Sequence, residues 1–438
     1  MASYLQTKVV NGDGSEIVHA IKKGGYKPSK KLLDHVSEVI RGKSEYILID
    51  DQLIVYDRVL RVVDQAVQHK NKTTIIVKGG PGTGKSVIAL NLLGVLSGRG
   101  FNTHYVTGSR AFTTTIREIV GSRAAQQIKY FNSYGQASQN DLDVMLCDEA
   151  HRIRETSNSR FTPSAKRSNK PQIQELLKAA RTAVFFVDDD QVVRPGEIGS
   201  SDYIRATAET LGCGLYEYEL KAQFRCAGSD AFVNWVNNTL QIRRTANILW
   251  SGDERFEFEI FDSPQKLEAK IREKVAAKYT ARMTAGFCWE WSKPKPDGTL
   301  VDDVSVGEYK RPWNAKSQAG HLAPQVPPES LWAYDPRGID QIGCIYTAQG
   351  FEFDYVGVIF GKDLIYDMRH GEWRGDQAQS CDTVVCRSGA DFLKNVKNTY
   401  RVLLTRGMKG CYVHFLDKAT EYFFRSRFER DSGVVAAR

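Results

Sequence analysis

The stretch Gly79-Gly80-Pro81-Gly82-Thr83-Gly84-Lys85-Ser86 puts flexible backbone, a lysine and a hydroxyl in immediate succession. Glycines let successive N–H groups turn inward around phosphate oxygens, and a helix starting at the lysine adds partial positive charge. Lys85 would neutralise β- and γ-phosphates, and Ser86 would offer its hydroxyl to Mg²⁺. The spacing fits a phosphate-binding P-loop, and its context supports the reading: Thr74–Val77 reads as a strand before it and Val87–Leu93 as a helix after it. Such a loop also needs a metal anchor and a base. The run VMLCDEAH supplies both, with Asp148 at a strand end to hold Mg²⁺ and Glu149 to polarise an attacking water. No NKxD-type guanine-reading element occurs in the expected place, so the nucleotide is read as ATP.

These residues need a scaffold, and the chain has material for one. Its 438 residues, 42% of them apolar, suffice for two or three buried cores. Short β-branched or aromatic runs (Thr74–Val77, His104–Thr107, Val144–Cys147, Ala183–Val187) alternate with helical stretches, which predicts a parallel α/β sheet. A second set follows at Phe256–Phe261, Met283–Cys288, Gln341–Tyr346, Tyr355–Phe360 and Gly410–Phe415. The expected fold class is therefore α/β with two such domains, 46–215 and 216–438. A helical or extended segment at 1–45 precedes them, and a Pro-, Gly- and Lys-rich inserted loop or hairpin occupies 292–336. Apolar residues at Leu53, Tyr56, Leu60, Val63 and Val67 space onto one helix face ahead of the first strand. The net charge of +8 suits a polyanionic partner. Eight scattered cysteines without a CxxC pair, and no signal pattern or long apolar run, point to reduced thiols in a cytoplasmic protein with no membrane span.

Taken in order, the motifs resemble a superfamily 1 helicase motor, and more narrowly the bacterial Schlafen-type DNA/RNA helicase domain. The resemblance runs from about Tyr46 to Phe415. It implies two RecA-like P-loop domains with ATP in the cleft between them. Within it, DDQ with Gln52 resembles the adenine-reading element, YVTGSRAFTTTIRE motif Ia and CDEAH motif II; FVDDDQ resembles motif III, with Gln191 as γ-phosphate or water sensor. LKAQFRC resembles motif IV with Arg225, TAQGFEFDYVGVIF motif V with Gly350 and Glu352 at the nucleotide, and YRVLLTRGMKGCYVH motif VI with Arg406. Arginines delivered from a second domain would stabilise charge spread over the transferring phosphoryl group. The resemblance also implies single-stranded DNA or RNA crossing both domains, touched by Thr107, Ser109, Arg110 and Thr347. Phe112, the FNSY stretch, Trp289, Trp291 and Trp313 are further candidates for stacking on bases, or else core residues.

About ten residues separate FNSYG from the strand leading to Asp148, which leaves no room for the bulky insertion of processive motors. The readings in play are an ATP-dependent helicase or translocase in repair or defence, with a protein partner supplying nuclease or effector chemistry; a nucleotide-switched binding module that hydrolyses slowly; and a P-loop small-molecule kinase.

Overall fold

The structure is a computed structural model and describes residues 36, 39–40, 48, 50–158, 162–164, 167–221, 230–316 and 320–428. Most of the expected 1–45 segment lies outside these. Its Val36 and Val39 do appear, buried in the first lobe's core, with the Val39 carbonyl so close to Gly94 that a Cβ there would sit 2.3 Å away.

The first lobe begins with α1 (Asp50–Gln68) and β1 (Thr73–Gly79), followed by α2 (Lys85–Gly98), β2 (Thr103–Thr107) and α3 (Arg110–Ala125). It continues through β3 (Ile128–Tyr130), β4 (Leu142–Asp148), α4 (Gln172–Ala179), β5 (Ala180–Val187), α5 (Ser201–Thr210) and β6 (Gly214–Leu220). Its sheet has the order β3-β2-β4-β5-β1-β6, every pairing parallel. Ile75, Ile76 and Val77 are fully buried, as a central strand covered on both faces requires.

Three local readings change. α1 buries Val55, Val59, Val62 and Val63 while Leu53 stays 46% exposed, so its inward face is rotated from the expected stripe. β3 and β6 carry no clear apolar run and were not expected. β6 pairs along its length with β1, which carries the first sheet to Leu220, past the boundary expected at 215.

The second lobe comprises α6 (Asp230–Thr239), β7 (Glu257–Ile260), α7 (Pro264–Ala276), β8 (Ala281–Ala285), a hairpin of β9 (Val304–Val306) with β10 (Tyr309–Arg311), β11 (Ile342–Gly343) and α8 (Ile345–Ala348). β12 (Phe353–Phe360), the antiparallel pair β13 (Leu364–Asp367) and β14 (Glu372–Gly375), α9 (Thr383–Cys386), α10 (Phe392–Leu404), β15 (Gly407–Phe415) and α11 (Lys418–Arg425) complete it. The second sheet, β11-β8-β12-β15-β7, is again parallel. The strand expected over Gln341–Tyr346 stops after two residues because Cys344 caps α8. Two parallel sheets flanked by helices, the first carrying the P-loop, are the α/β fold class read from the sequence.

The insertion is rooted in the second lobe. Arg282 donates from Nε to the Trp332 carbonyl at 3.1 Å and from Nη2 to that of Asp335 at 2.6 Å. The fully buried Trp332 ring lies where a Cβ on Gly343 would be, so only glycine fits that position. From this root the turn Glu329–Leu331 packs on α3 of the first lobe, where the Thr115 hydroxyl donates to the Ser330 carbonyl.

His104 on β2 offers a stability test. Its Nδ1 lies 2.8 Å from the Tyr134 hydroxyl, and burial, with Lys129 nearby, pushes its pKa down to about 4. The unfolded chain binds the proton near pH 6.5 and the folded one resists it, so this contribution is present above 6.5 and lost as pH falls toward 4. After discounting for solvent at the ring, the loss is about 2 kcal/mol. Denaturant melts should show a shallower decline over that window in His104→Gln than in wild type.

Candidate functional site

β1 delivers the phosphate loop and α2 leaves from it at Lys85. Gly84 has φ +83°, and a Cβ there would meet the Gln52 amide nitrogen at 2.0 Å, so both backbone conformation and space demand glycine. That Gln52 amide donates to the Thr83 carbonyl at 3.1 Å, joining the buried glutamine of α1 to the loop. Lys85 Nζ donates to the Gly79 and Gly80 carbonyls at 2.7 Å each, which holds the ammonium inside the curve of the loop. Gly80, Pro81 and Thr83 line a cavity of about 360 Å³ that Asn234, Arg243 and Arg401 of the second lobe also border.

β4 brings the acids. Ser86 Oγ donates to Asp148 Oδ2 at 2.6 Å, and the Tyr105 hydroxyl donates to the same oxygen. Burial and the adjacent Glu149 push the Asp148 carboxyl up, while Ser86 and Tyr105 pull it down. A hydroxyl and a carboxylate oxygen converging beside a P-loop form a hard-oxygen set that fits Mg²⁺, whose charge would offset that burial.

Glu149 has left-handed backbone, φ 53°, which costs a side-chain-bearing residue about 1–2 kcal/mol. Asp148 Oδ1 compensates by accepting the Glu149 N–H at 2.9 Å. Burial pushes the Glu149 carboxyl up, but His151, Arg406 and Lys85 outweigh it and hold the group well below the usual carboxylate range. His151, which sequence reasoning did not single out, is fully buried with Nε2 3.0 Å from Glu149 Oε2 and 3.2 Å from Gln349 Nε2. One ring nitrogen cannot donate to a carboxylate and accept from an amide together, so the Gln349 amide is better satisfied with its oxygen toward the ring.

Arg406 follows α10 and is almost wholly buried; it donates to the Phe351 carbonyl at 3.3 Å, and its charge reaches Glu149 across the lobes. Arg225 lies outside the described residues. Gln191 is buried after β5, its Nε2 donating to Asp188 Oδ2 at 2.8 Å. Gly350 has φ +95°, and a Cβ there would lie 3.4 Å from Phe112 of α3, whose ring Phe351 meets edge-on at 5.9 Å. Glu352 beside it is half-buried.

The residues expected to meet nucleic acid divide sharply. Arg110 is exposed, but Thr107, Ser109 and Thr347 are each no more than 1% exposed. Thr107 Oγ1 accepts from the Ser109 N–H, and Thr347 donates to Asn314 of the insertion at 3.0 Å. Phe112 and Trp313 are core residues; Trp289 and Trp291 donate their indole N–H groups to the carbonyls of Ser305 and Asn314. A further contact between lobes comes from Arg194, whose guanidinium sits 3.9 Å from the centre of the Tyr346 ring.

The profile of the family described as Schlafen group 3, DNA/RNA helicase domain, matches residues 72–417. The chain belongs to that family. The match takes in every motif from the phosphate loop to Arg406 in this Schlafen group 3 helicase domain, which makes it a helicase-like P-loop NTPase in kind. An uncharacterised Saccharomyces cerevisiae protein, YPL245W, is 26% identical over 301 residues, a span of 63% of this chain and 63% of the yeast one. Among solved structures, the Pif1 helicase of Candida albicans aligns over 87% of this chain and 99% of its own at 11% identity and TM-score 0.34. AMPPCP-bound DnaA of Aquifex aeolicus aligns over 46% of this chain and 56% of its own, with 17% identity and TM-score 0.23. No helix among the described residues is long and apolar enough to cross a membrane.

Proposed function

We propose that this helicase domain is an ATP-driven motor acting on single-stranded or partly single-stranded DNA or RNA. The observation that carries the reading is Arg406: a guanidinium from the second lobe whose charge bears on Glu149, the acid that follows the metal-anchoring Asp148 of the first. In this reading Gln52 and residues 79–86 bind ATP, with Gly350 and Glu352 approaching from motif V. Ser86 and Asp148 would hold Mg²⁺, which would supply positive charge to offset that of the phosphates. Glu149 orients and deprotonates the attacking water, Gln191 senses it, and Arg406 with Arg225 stabilises the charge on the departing phosphoryl group. Product release loosens the contact between lobes, and that movement is passed to a bound strand, which Arg110 can meet at the surface and which Thr107, Ser109 and Thr347, buried here, could meet only once the lobes part.

Because Thr107, Ser109 and Thr347 are buried, of the expected strand contacts only Arg110 is at the surface, and this leaves a second reading, a nucleotide-switched clamp that holds a nucleic-acid or protein partner and turns over slowly without unwinding. A cytoplasmic role in repair or defence, beside a partner with nuclease or effector chemistry, extends either version.

ATP turnover measured with and without short single strands of DNA and of RNA, over a salt series, separates the two. The motor requires stimulation by at least one strand, weakening as salt rises because phosphate contacts dominate such binding. Strand binding that depends on nucleotide without stimulated turnover would establish the clamp instead.

A further inference from the structure

α10 does more than carry the approach to Arg406. Two side chains one turn apart on it, Asn398 and Arg401, reach the Asp188–Val192 loop of the first lobe. Asn398 Nδ2 donates to the Val192 carbonyl at 2.7 Å, and Arg401 Nη1 to that of Asp190 at 3.2 Å. Arg401 is 2% exposed, and its guanidinium lies 4.0 Å from Asp188 Oδ2 and 3.7 Å from Asp190 Oδ2. Its remaining edge is fixed in its own lobe, where Nε donates to Asn237 Oδ1 at 2.7 Å. The Asp188 oxygen that faces Arg401 also accepts from Gln191 Nε2 at 2.8 Å, and Gln191 Oε1 is buried without a hydrogen-bond partner. Both Asp188 and Arg401 border the cavity shared with Gly79, Gly80 and Pro81.

We infer that Arg401 is a positioning residue for ATP hydrolysis: it fixes Asp188, and through it the Gln191 amide, only while α10 is seated against the first lobe. The geometry is a relay. Asp188 Oδ1 accepts the Asp190 N–H at 3.1 Å, which leaves Oδ2 as the oxygen that carries the Gln191 amide. A guanidinium anchored at Asn237 and directed at Oδ2, while donating to the Asp190 carbonyl of the same loop, holds that oxygen and the Gln191 amide on it in place. Nucleotide could then bind with the lobes apart, but Gln191 would be held at the phosphate only after they meet. Arg401 thus makes hydrolysis conditional on closure, without touching nucleotide itself. This rests on the proposed ATPase reading and deepens it.

The test is steady-state ATP turnover by the full chain for wild type, Arg401→Lys, Arg401→Ala, Gln191→Ala and the double variant Arg401→Lys with Gln191→Ala, alongside binding of a fluorescent ATP analogue. Arg401→Lys keeps the charge beside Asp188 and Asp190, so it serves where Arg401→Ala fails to fold. The expected result is a fall in kcat of about tenfold for Arg401→Lys, KM for ATP and analogue affinity within about threefold of wild type, and a double variant no slower than Gln191→Ala. Wild-type kcat in Arg401→Lys, or effects of the two substitutions that multiply in the double variant, would overturn the inference. Wild type that binds the analogue but shows no turnover under any condition would overturn the ATPase reading beneath it.

Discussion

Glu149→Gln should lower kcat for ATP about a thousandfold, within the range that a positioned general base contributes, while ATP affinity stays within a few-fold of wild type. The amide keeps the shape of the carboxylate but cannot take a proton from water. In the wild type the side chain is buried and held ionised by His151, Arg406 and Lys85, so the carboxylate is unprotonated at neutral pH. Neutralising it also relieves the burial cost of two adjacent carboxylates, Asp148 and Glu149, so the variant should fold normally. Single-turnover hydrolysis and equilibrium binding of ATP, measured side by side, decide the matter. Retained hydrolysis would move the base elsewhere in the pocket.

Arg406→Ala should slow the chemical step by about a thousandfold or more, as loss of a phosphate-facing arginine does in related phosphoryl-transfer sites. Two features set it apart from Glu149→Gln. The arginine comes from the second lobe, so removing it should also weaken any stabilisation that ATP gives to contact between lobes. It is also a buried cation, so part of the loss will appear as lower melting temperature without nucleotide. Arg406→Lys separates the effects: a lysine keeps a positive charge near Glu149 but lacks the planar fork for phosphate oxygens, and should recover stability more than rate. If Arg406→Ala hydrolysed ATP at the wild-type rate, the charge reaching Glu149 from the second lobe would be structural.

What the sequence disclosed and what it concealed follow from the range of the interactions. The phosphate loop was legible because its demands are local: Gly84 needs a positive φ, Lys85 begins a helix, and Ile75 to Val77 must be buried on both faces. Asp148 and Glu149 were legible as the end of a buried strand. By contrast β6 is an edge strand with Glu217 and Tyr218 partly exposed, and it announces itself only through its pairing with β1. Arg401 and His151 had no local signature. Arg401 takes its meaning from Asp188, more than two hundred residues away, and His151, though only two residues from Glu149, shows its role only once the turn folds its ring back against that carboxylate and buries both. The burial of Thr347 was hidden for the same reason, since its partner Asn314 belongs to the insertion.

The insertion's grip on α3 has a mechanical consequence. Its base is held by Arg282 and Trp332 in one lobe, while the Glu329–Leu331 turn rests on α3 of the other, the helix whose Phe112 also meets Phe351. Were the α10 contacts with the Asp188–Val192 loop to release while this grip holds, the lobes would swing about α3 rather than part like parallel plates, and a small angle there becomes its largest displacement at the far rim.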